Sequence, residues 1–529
     1  DLGYTGNPDI NTPTIDAFAK ESVVFENFYV SPVCTPTRAS LLTGRYNYRT
    51  GAIDTWMGRS TMRQDELTLA EALKAAGYAT GLFGKWHLGD TYPYRPQDQG
   101  FDSVLMHMGV GIGQPSGPAG NAYFDPILWE NGQEKTLRGY CMDIYTDATI
   151  RFIKSNKNRP FFAFLATNTP HTPLQVAPAY SQPYIESGLP EETSIIYGMM
   201  TNIDDNFARV LNTLEDLQIA DNTIVIYMSD NGPKIFHPDR RYRAGLKGEK
   251  TSVYEGGIRS PFFMRWPMKF ESHQTFSTKA AHIDIMPTLV SAANISDESF
   301  NFDGRDLIPM IEGKGDYWKP RTIFLQWHRG NQPEPYRNFA AVSERFKLVQ
   351  TQNTFDQNAA QIFELFDLET DPGENFNIAD QHPEIVESIK KSYDLWLKEV
   401  SKDRGYPEMP SWLGSSRQNP VLLTHQDRRD SPKWDHDVFY PQAYWPVKII
   451  NSGSYQARLT LFEASKTDGE AVVKLSKKTF RALFKAGSQE ITVPLGELPV
   501  SLESIKAWSD SGGRKYAPRF LQLEILDKE

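Results

Sequence analysis

Cysteine is nearly absent from this chain, with two among 529 residues, Cys34 and Cys141. Two cysteines exclude a disulfide framework and leave a single Cys34–Cys141 bridge as the only pairing available. The other reading is one specialised thiol and one buried bystander. No apolar run of about eighteen residues occurs, which excludes a transmembrane helix. Positive charge is in deficit, 56 Lys and Arg against 66 Asp and Glu for a net charge of −10. That balance argues against nucleic acid as a partner but permits a local basic pocket. The sequence starts at Asp1-Leu2-Gly3-Tyr4 without an initiator Met, and no targeting segment in it names a compartment. There is no internal repeat and no low-complexity tract.

What is present suits a large core. Hydrophobic residues make up 40% and aromatics 12% of the chain, and the length predicts two to four domains. Apolar runs alternate with helical patterns through the first two-thirds. "NTPTIDAFAKES" offers Thr12 as an N-cap and Pro13 at the first helical position. In "TLAEALKAAGY", Thr68 and Glu71 have capping-box spacing and Gly77 marks a stop. Met200, Ile203, Phe207, Val210, Leu211, Leu214 and Leu217 recur at steps of three and four, the period of an amphipathic helix. "YATGLFGKWHLG", "RPFFAFLATNTPHTPL" and "NTIVIYMSDNGP" read as strands. Strands separated by helices predict an α/β fold with a mixed sheet flanked by helices. Ligands bind beyond the carboxyl ends of such strands. Lys85, His87, His171, Asp230 and Asn231 stand at those ends, and Cys34 follows the apolar stretch "SVVFENFYVSPV". All should converge on one crevice.

From about Arg321 the texture changes to short antiparallel strands and a helix from about Pro383 to Val400. This predicts a catalytic-type α/β domain over 1–320 and a smaller α+β subdomain over 321–405. The Pro-, Gly- and Ser-containing stretch 406–433 reads as a linker. An all-β sandwich of roughly a hundred residues follows over 434–529. Trp434, Tyr440, Tyr444 and Trp445 lead into it and read as core or interface aromatics, with sugar stacking as their other use. "GVGIGQPSGPAGNAYFDP" lacks the strand–turn–helix context of a phosphate loop and reads as a flexible loop on the substrate side.

Cys34-Thr35-Pro36-Thr37-Arg38 matches the C-x-P-x-R signature of the formylglycine-dependent sulfatases, and Leu42-Thr43-Gly44-Arg45 follows it as in that family. "GKWHLG", "NTPHTPL", "SDNG" and "GEKTSVYEGGIRSP" resemble further family blocks in the family's order. The resemblance covers about residues 1 to 400 and omits the β module. It is stronger to bacterial polysaccharide sulfatases than to animal lysosomal enzymes. It implies an alkaline-phosphatase-like fold and hydrolysis of a carbohydrate sulfate ester. Cys34 would be oxidised by a maturation enzyme to formylglycine, whose hydrate attacks sulfur. Catalytic roles fall on Cys34, Arg38, Lys85, His87, His171 and Lys250. Asp1, Asp230 and Asn231, with residue 34, would hold a divalent cation, calcium by family habit with magnesium as the other choice. The family has two adjacent aspartates at its first strand end, which places a second carboxylate immediately before Asp1. His237, Arg240, Arg241 and Arg243 are expected at the pocket mouth, where Arg suits sulfate or uronate groups. The family implies a sulfated carbohydrate and the maturation enzyme as partners, and a periplasmic or extracellular location. Two other readings stand beside this one: a phosphodiesterase or phosphonate monoester hydrolase of the same superfamily, and a non-catalytic binder of sulfated glycans.

Overall fold

A computed structural model describes residues 1–298, 300–314, 318–352, 361–402, 404–430 and 438–526. The capping box forms as its spacing predicts. Thr68 Oγ1 accepts from Glu71 N, and Glu71 returns a bond to Thr68 N, at the head of the helix Leu69–Ala75. The helix Pro13–Lys20 starts at the expected residue, but Thr12 does not cap it. Asp204, from the long amphipathic helix Glu191–Asp216, accepts from the backbone N–H groups of Thr14 and Ile15. The helix dipole and its unpaired donors are met from across the domain.

The strands Ser103–His107, Ala79–Lys85 and Phe161–Ala166 run parallel side by side, with Ile127–Glu130 and Gln133–Thr136 added antiparallel at one edge. Register sets Lys85 opposite His107 and Gly84 opposite Ala166. Gly84 has φ +117°, and a Cβ there would lie 2.0 Å from the Ala166 carbonyl oxygen. Only glycine permits that approach. A second sheet orders Thr275–Phe276, Val23–Phe25, Phe262–Arg265 and Val225–Met228. The edge strands Phe161–Ala166 and Val225–Met228 both line one cavity of about 1980 Å³, whose polar end holds Arg38, Lys85, His171, Asp230 and Lys250. Strand ends therefore deliver the candidate residues to one place.

The four-stranded antiparallel sheet Ile323–Gln326, Phe339–Val342, Phe346–Gln350, Glu364–Asp367 shares a core with the helix Pro383–Ser401. That core also takes in Tyr29, Tyr46, Tyr48 and Ile53, so this unit is packed directly onto the first one. The last unit has two antiparallel-dominated sheets around a separate core. Along Gly453–Thr460 buried and half-exposed residues alternate strictly, the period of a strand with one covered face.

The stretch expected as a linker is largely built into that last unit. Ser411–Leu413 pairs parallel with Trp445–Ile449, and Val421–Leu423 pairs antiparallel with Phe520–Ile525. Both are three-residue edge strands that follow a proline, Pro410 and Pro420, which edge positions tolerate and which reads as linker composition. Lys478–Phe484 and Ser501–Ser511 are further strands that the sequence reading passed over. Trp445 is buried in the core of this unit and Tyr444 donates to Glu408. Trp434 lies outside the described residues. No helix among the described residues is long and apolar enough to cross a membrane.

Candidate active site

The site is built on the first turn of the helix Cys34–Thr43, whose first N–H groups have no intrahelical partners. Cys34 is buried and unpaired, as is Cys141, so no bridge joins them. Cys34 Sγ lies 3.3 Å from His87 Nδ1. The other ring nitrogen, His87 Nε2, is 2.9 Å from the carbonyl oxygen of Thr55. A carbonyl only accepts, so Nε2 carries the proton and Nδ1 presents its lone pair to residue 34. His87 has φ +63°, a conformation costly for a non-glycine residue and held by its surroundings. Thr35 Oγ1 donates to the His87 carbonyl at 3.2 Å.

Arg38, one turn along the helix, donates from Nη1 to the Lys85 carbonyl at 2.7 Å and from Nε to Asp230 Oδ2 at 2.9 Å. Burial pushes Asp230 up, but the charges of Arg38, Lys85 and Lys250 outweigh it and hold the carboxyl at about 2. Burial lowers Lys85, with Arg38 and Lys250 adding to the shift against the opposing charges of Cys34 and Asp230. Burial and then Lys85 hold His87 well below the usual imidazole range; burial, Lys250 and Lys85 do the same to His171. These groups thus act on one another within one pocket of concentrated positive potential. His171 lies 2.8 Å from the Thr172 carbonyl through Nδ1, which leaves Nε2 as the acceptor of the neutral ring.

Such a pocket suits a tetrahedral anion, and the comparisons with known proteins name the anion. The family model described as "Sulfatase" matches residues 1–295, and that described as "N-sulphoglucosamine sulphohydrolase, C-terminal" matches 248–402. The first spans more than half of the chain. The chain belongs to the sulfatase family. It is 30% identical over 479 residues to arylsulfatase A of Bos taurus, covering 80% of this chain and 89% of that one. It is 29% identical over 474 residues to an N-acetylgalactosamine-6-O-sulfatase of Bacteroides thetaiotaomicron, covering 74% and 89%. Identity alone does not separate the animal from the bacterial relatives. The solved structure of Ps i-CgsB in complex with k-i-k-neocarrahexaose superposes with a TM-score of 0.67 at 26% identity, covering 76% of this chain and 91% of that one. This sulfatase is therefore a sulfuric ester hydrolase with the family's α/β fold.

The oxygen donors expected for a cation divide in two. Asn231 Nδ2 donates to the Gly232 carbonyl at 2.8 Å, which turns Oδ1 the other way, and that buried Oδ1 has no hydrogen-bond partner. Together with ionised Asp230 it fits a hard divalent cation. Asp1 is turned instead to Arg241, which grips its carboxylate through Nε at 3.2 Å and through Nη2. No group of three His, Cys, Asp or Glu side chains gathers around one point among the described residues.

Arg241 corrects the expected pocket mouth. It is buried and committed to Asp1, because an ion pair at that depth is favoured over an unpaired guanidinium. His237 pairs with Glu192 at 2.8 Å, and Arg240 donates to the Gly188 carbonyl at 2.6 Å, both at the start of the long helix and away from the pocket lining. Arg243 alone of the four is exposed on the cavity. The glycine-rich loop is tied down at several points. Gly109 N donates to Asp90, Gln114 donates to the Thr172 carbonyl, and Arg519 of the β unit donates to the Gly117 carbonyl. A side chain at Gly111 would come within 3.7 Å of His171 Nδ1, which places the loop beside the sulfatase pocket.

His107 was missed by the sequence reading. It ends the strand Ser103–His107 beside Lys85, and burial, with the Lys85 and Arg38 charges, lowers it to about 3. The strand-end rule that found Lys85 and His171 would have found it. Asp90 and Asp427 were also missed. Burial, then the Asp427 charge, pushes Asp90 up to about 8, and burial raises Asp427 to about 6. Burial, with the Asp427 charge, keeps a proton on Asp90 at neutral pH. The unfolded chain releases such protons near pH 4, so this pair makes stability fall as the pH rises from about 4 toward 8. Asp90→Asn keeps an acceptor for Gly109 N and should flatten that dependence. Its melting temperature should drop less between about pH 5 and about pH 8 than that of the parent. Parallel melting-temperature profiles would refute the proton held on Asp90.

Proposed function

We propose that this sulfatase hydrolyses a sulfate ester on a carbohydrate, with residue 34 as nucleophile once Cys34 is matured to formylglycine. The observation that carries the reading is the unprotonated His87 Nδ1 at 3.3 Å from Cys34 Sγ, on a helix N-terminus ringed by Arg38, Lys85, His171 and Lys250. Hydrated formylglycine supplies a hydroxyl for attack on sulfur, and a bound calcium or magnesium ion supplies positive charge beside it. Asp230 and Asn231 would hold that ion, and Asp1 would join them only by exchanging its Arg241 partner.

The chain's own groups supply the rest. His87 Nδ1 would accept the proton of the residue-34 hydroxyl that does not attack, so that the C–O bond to the transferred sulfate breaks, sulfate leaves and the aldehyde returns. Arg38 orients residue 34 and neutralises Asp230. Lys85 and Lys250 meet the sulfuryl oxygens where charge grows in the transition state. A sulfate ester in the pocket offsets the two ammonium groups and raises His171, which then takes a proton as substrate binds. His171 gives that proton to the leaving sugar oxygen, a poor leaving group without it, with Lys250 beside it. Arg243 is the mouth residue free to contact the glycan. The relatives named for sulfated amino sugars, and the neighbour bound to a neocarrahexaose, support a carbohydrate substrate. A maturation enzyme and a periplasmic or extracellular setting follow from the same reading.

The test is sulfate release from a panel of sulfated oligosaccharides, including 6-O-sulfated N-acetylhexosamines and carrageenan fragments, by protein co-produced with a maturation enzyme. Release from one glycan confirms the reading. Turnover of phosphate esters or phosphonates in preference to every sulfate ester would overturn it. Removal of divalent cations with EGTA and EDTA should lower kcat by tenfold or more (about 1.4 kcal/mol), with recovery on adding calcium or magnesium. Unchanged turnover in protein shown to be metal-free would sink the cation assignment.

A further inference from the structure

The Thr55 carbonyl that fixes His87 has a second donor. Gln426 Nε2 lies 2.6 Å from Thr55 O, 2.9 Å from Ser60 Oγ and 3.5 Å from His87 Nε2. The Gln426 backbone carbonyl accepts from Gly58 N at 2.8 Å. One residue therefore spans the loop 55–60 from both sides, and it is itself buried. Because Thr55 O only accepts, the group Gln426 aims at it is the amide NH₂, not the amide oxygen. Gln426 belongs to the last, β-rich unit. It lies three residues beyond the edge strand Val421–Leu423, the Trp445 indole donates to the Thr424 carbonyl at 2.7 Å, and Arg429 and Tyr444 bond each other's backbone.

We propose that Gln426 is a positioning residue for His87, and that the β-rich unit completes the active site by supplying it. The inference rests on the catalytic role given to His87 above. Gln426 pins the Thr55 carbonyl where it must lie to take the His87 Nε2–H. This holds the imidazole in the tautomer whose Nδ1 lone pair faces residue 34. Without that side-chain anchor Thr55 O loses the amide donor that fixes it and moves, and the ring populates the other tautomer, which offers residue 34 a proton in place of an acceptor. An appendage serving only to bind glycan would have no reason to place a buried amide against the carbonyl that orients a catalytic histidine.

The experiment uses the whole chain with two isosteric variants, Gln426→Met, which lacks the N–H donors, and Gln426→Glu, whose carboxylate cannot donate to a carbonyl. Imidazole ¹⁵N shifts, assigned with a His87→Gln sample, report the tautomer without any turnover. In the unsubstituted protein His87 should be protonated at Nε2 alone; a proton on Nδ1 overturns the proposal whatever the variants do. In either folded variant the two nitrogens should average between tautomers. On any sulfate ester the parent turns over, kcat should fall roughly tenfold with KM within about twofold. His87 shifts that stay at the parent's values, with unaltered kcat, would also overturn it. A parent that releases no sulfate from any glycan refutes the proposed function but leaves the tautomer measurement to judge Gln426 on its own.

Discussion

Cys34→Ala is expected to lower sulfate release by at least about 10⁴-fold in kcat, the scale on which removing a nucleophile acts, while barely moving the melting temperature. The two halves of this expectation have separate causes. Cys34 is buried at the start of its helix, and its sulfur has one polar neighbour, His87. Alanine keeps the helix and removes a single polarisable atom, a loss of about 1–2 kcal/mol at most by comparison with other small core truncations. Chemistry, by contrast, loses the side chain that the His87 lone pair faces, the proposed nucleophile. The measurement is sulfate release alongside a thermal melt, with peptide mass confirming maturation of the parent. A variant retaining more than about one hundredth of parental kcat would refute the nucleophile. A variant that unfolds would show that the thiol is structural.

Lys347→Ala should destabilise the protein by roughly 3–5 kcal/mol, the usual result of stripping one partner from a buried ion pair. Lys347 has 0% side-chain exposure and reaches Glu255 at 2.8 Å and Glu374 at 2.7 Å. Glu374 also accepts from Glu255 N at 2.6 Å, and Tyr29 donates to Glu255 at 3.2 Å. Removing the lysine leaves two carboxylates in a dry seam between the antiparallel sheet and the turn that carries Lys250. A fall in melting temperature on the order of ten degrees follows. Lys347→Met combined with Glu255→Gln and Glu374→Gln should recover most of the loss, because no buried carboxylate is left charged and only the half-buried Arg259, 3.8 Å from Glu255, loses a charged partner. If Lys347→Ala melts with the parent, the seam is wetter than its geometry implies. If the triple variant is no better than Lys347→Ala, packing and not charge is what the lysine provides.

Much of the candidate site and its frame was legible because the residues concerned are read locally. Thr68 and Glu71 are three apart and cap one helix. Cys34 and Arg38 lie on one helical turn, and Lys85, His171, Asp230 and Asn231 each follow an apolar strand. Parallel strands carry such residues to a common edge whatever the loops between them do. The β-rich unit was legible from its alternating pattern, but its first two strands were not, because three residues behind a proline carry too little period to read.

By itself the sequence determined the longer helices, the apolar strands of the first unit and the chemistry placed at their ends, since each depends on residues within one element. Tertiary structure alone decided the partnerships between elements. Asp204 caps a helix 190 residues away, Arg241 claims Asp1 at a separation of 240, and Gln426 meets Thr55 at a separation of 371. Each of these is a buried polar group finding the nearest complementary group, and burial makes an unpaired donor or charge too costly to leave. Which group is nearest depends on how the units pack, and no spacing along the chain records that.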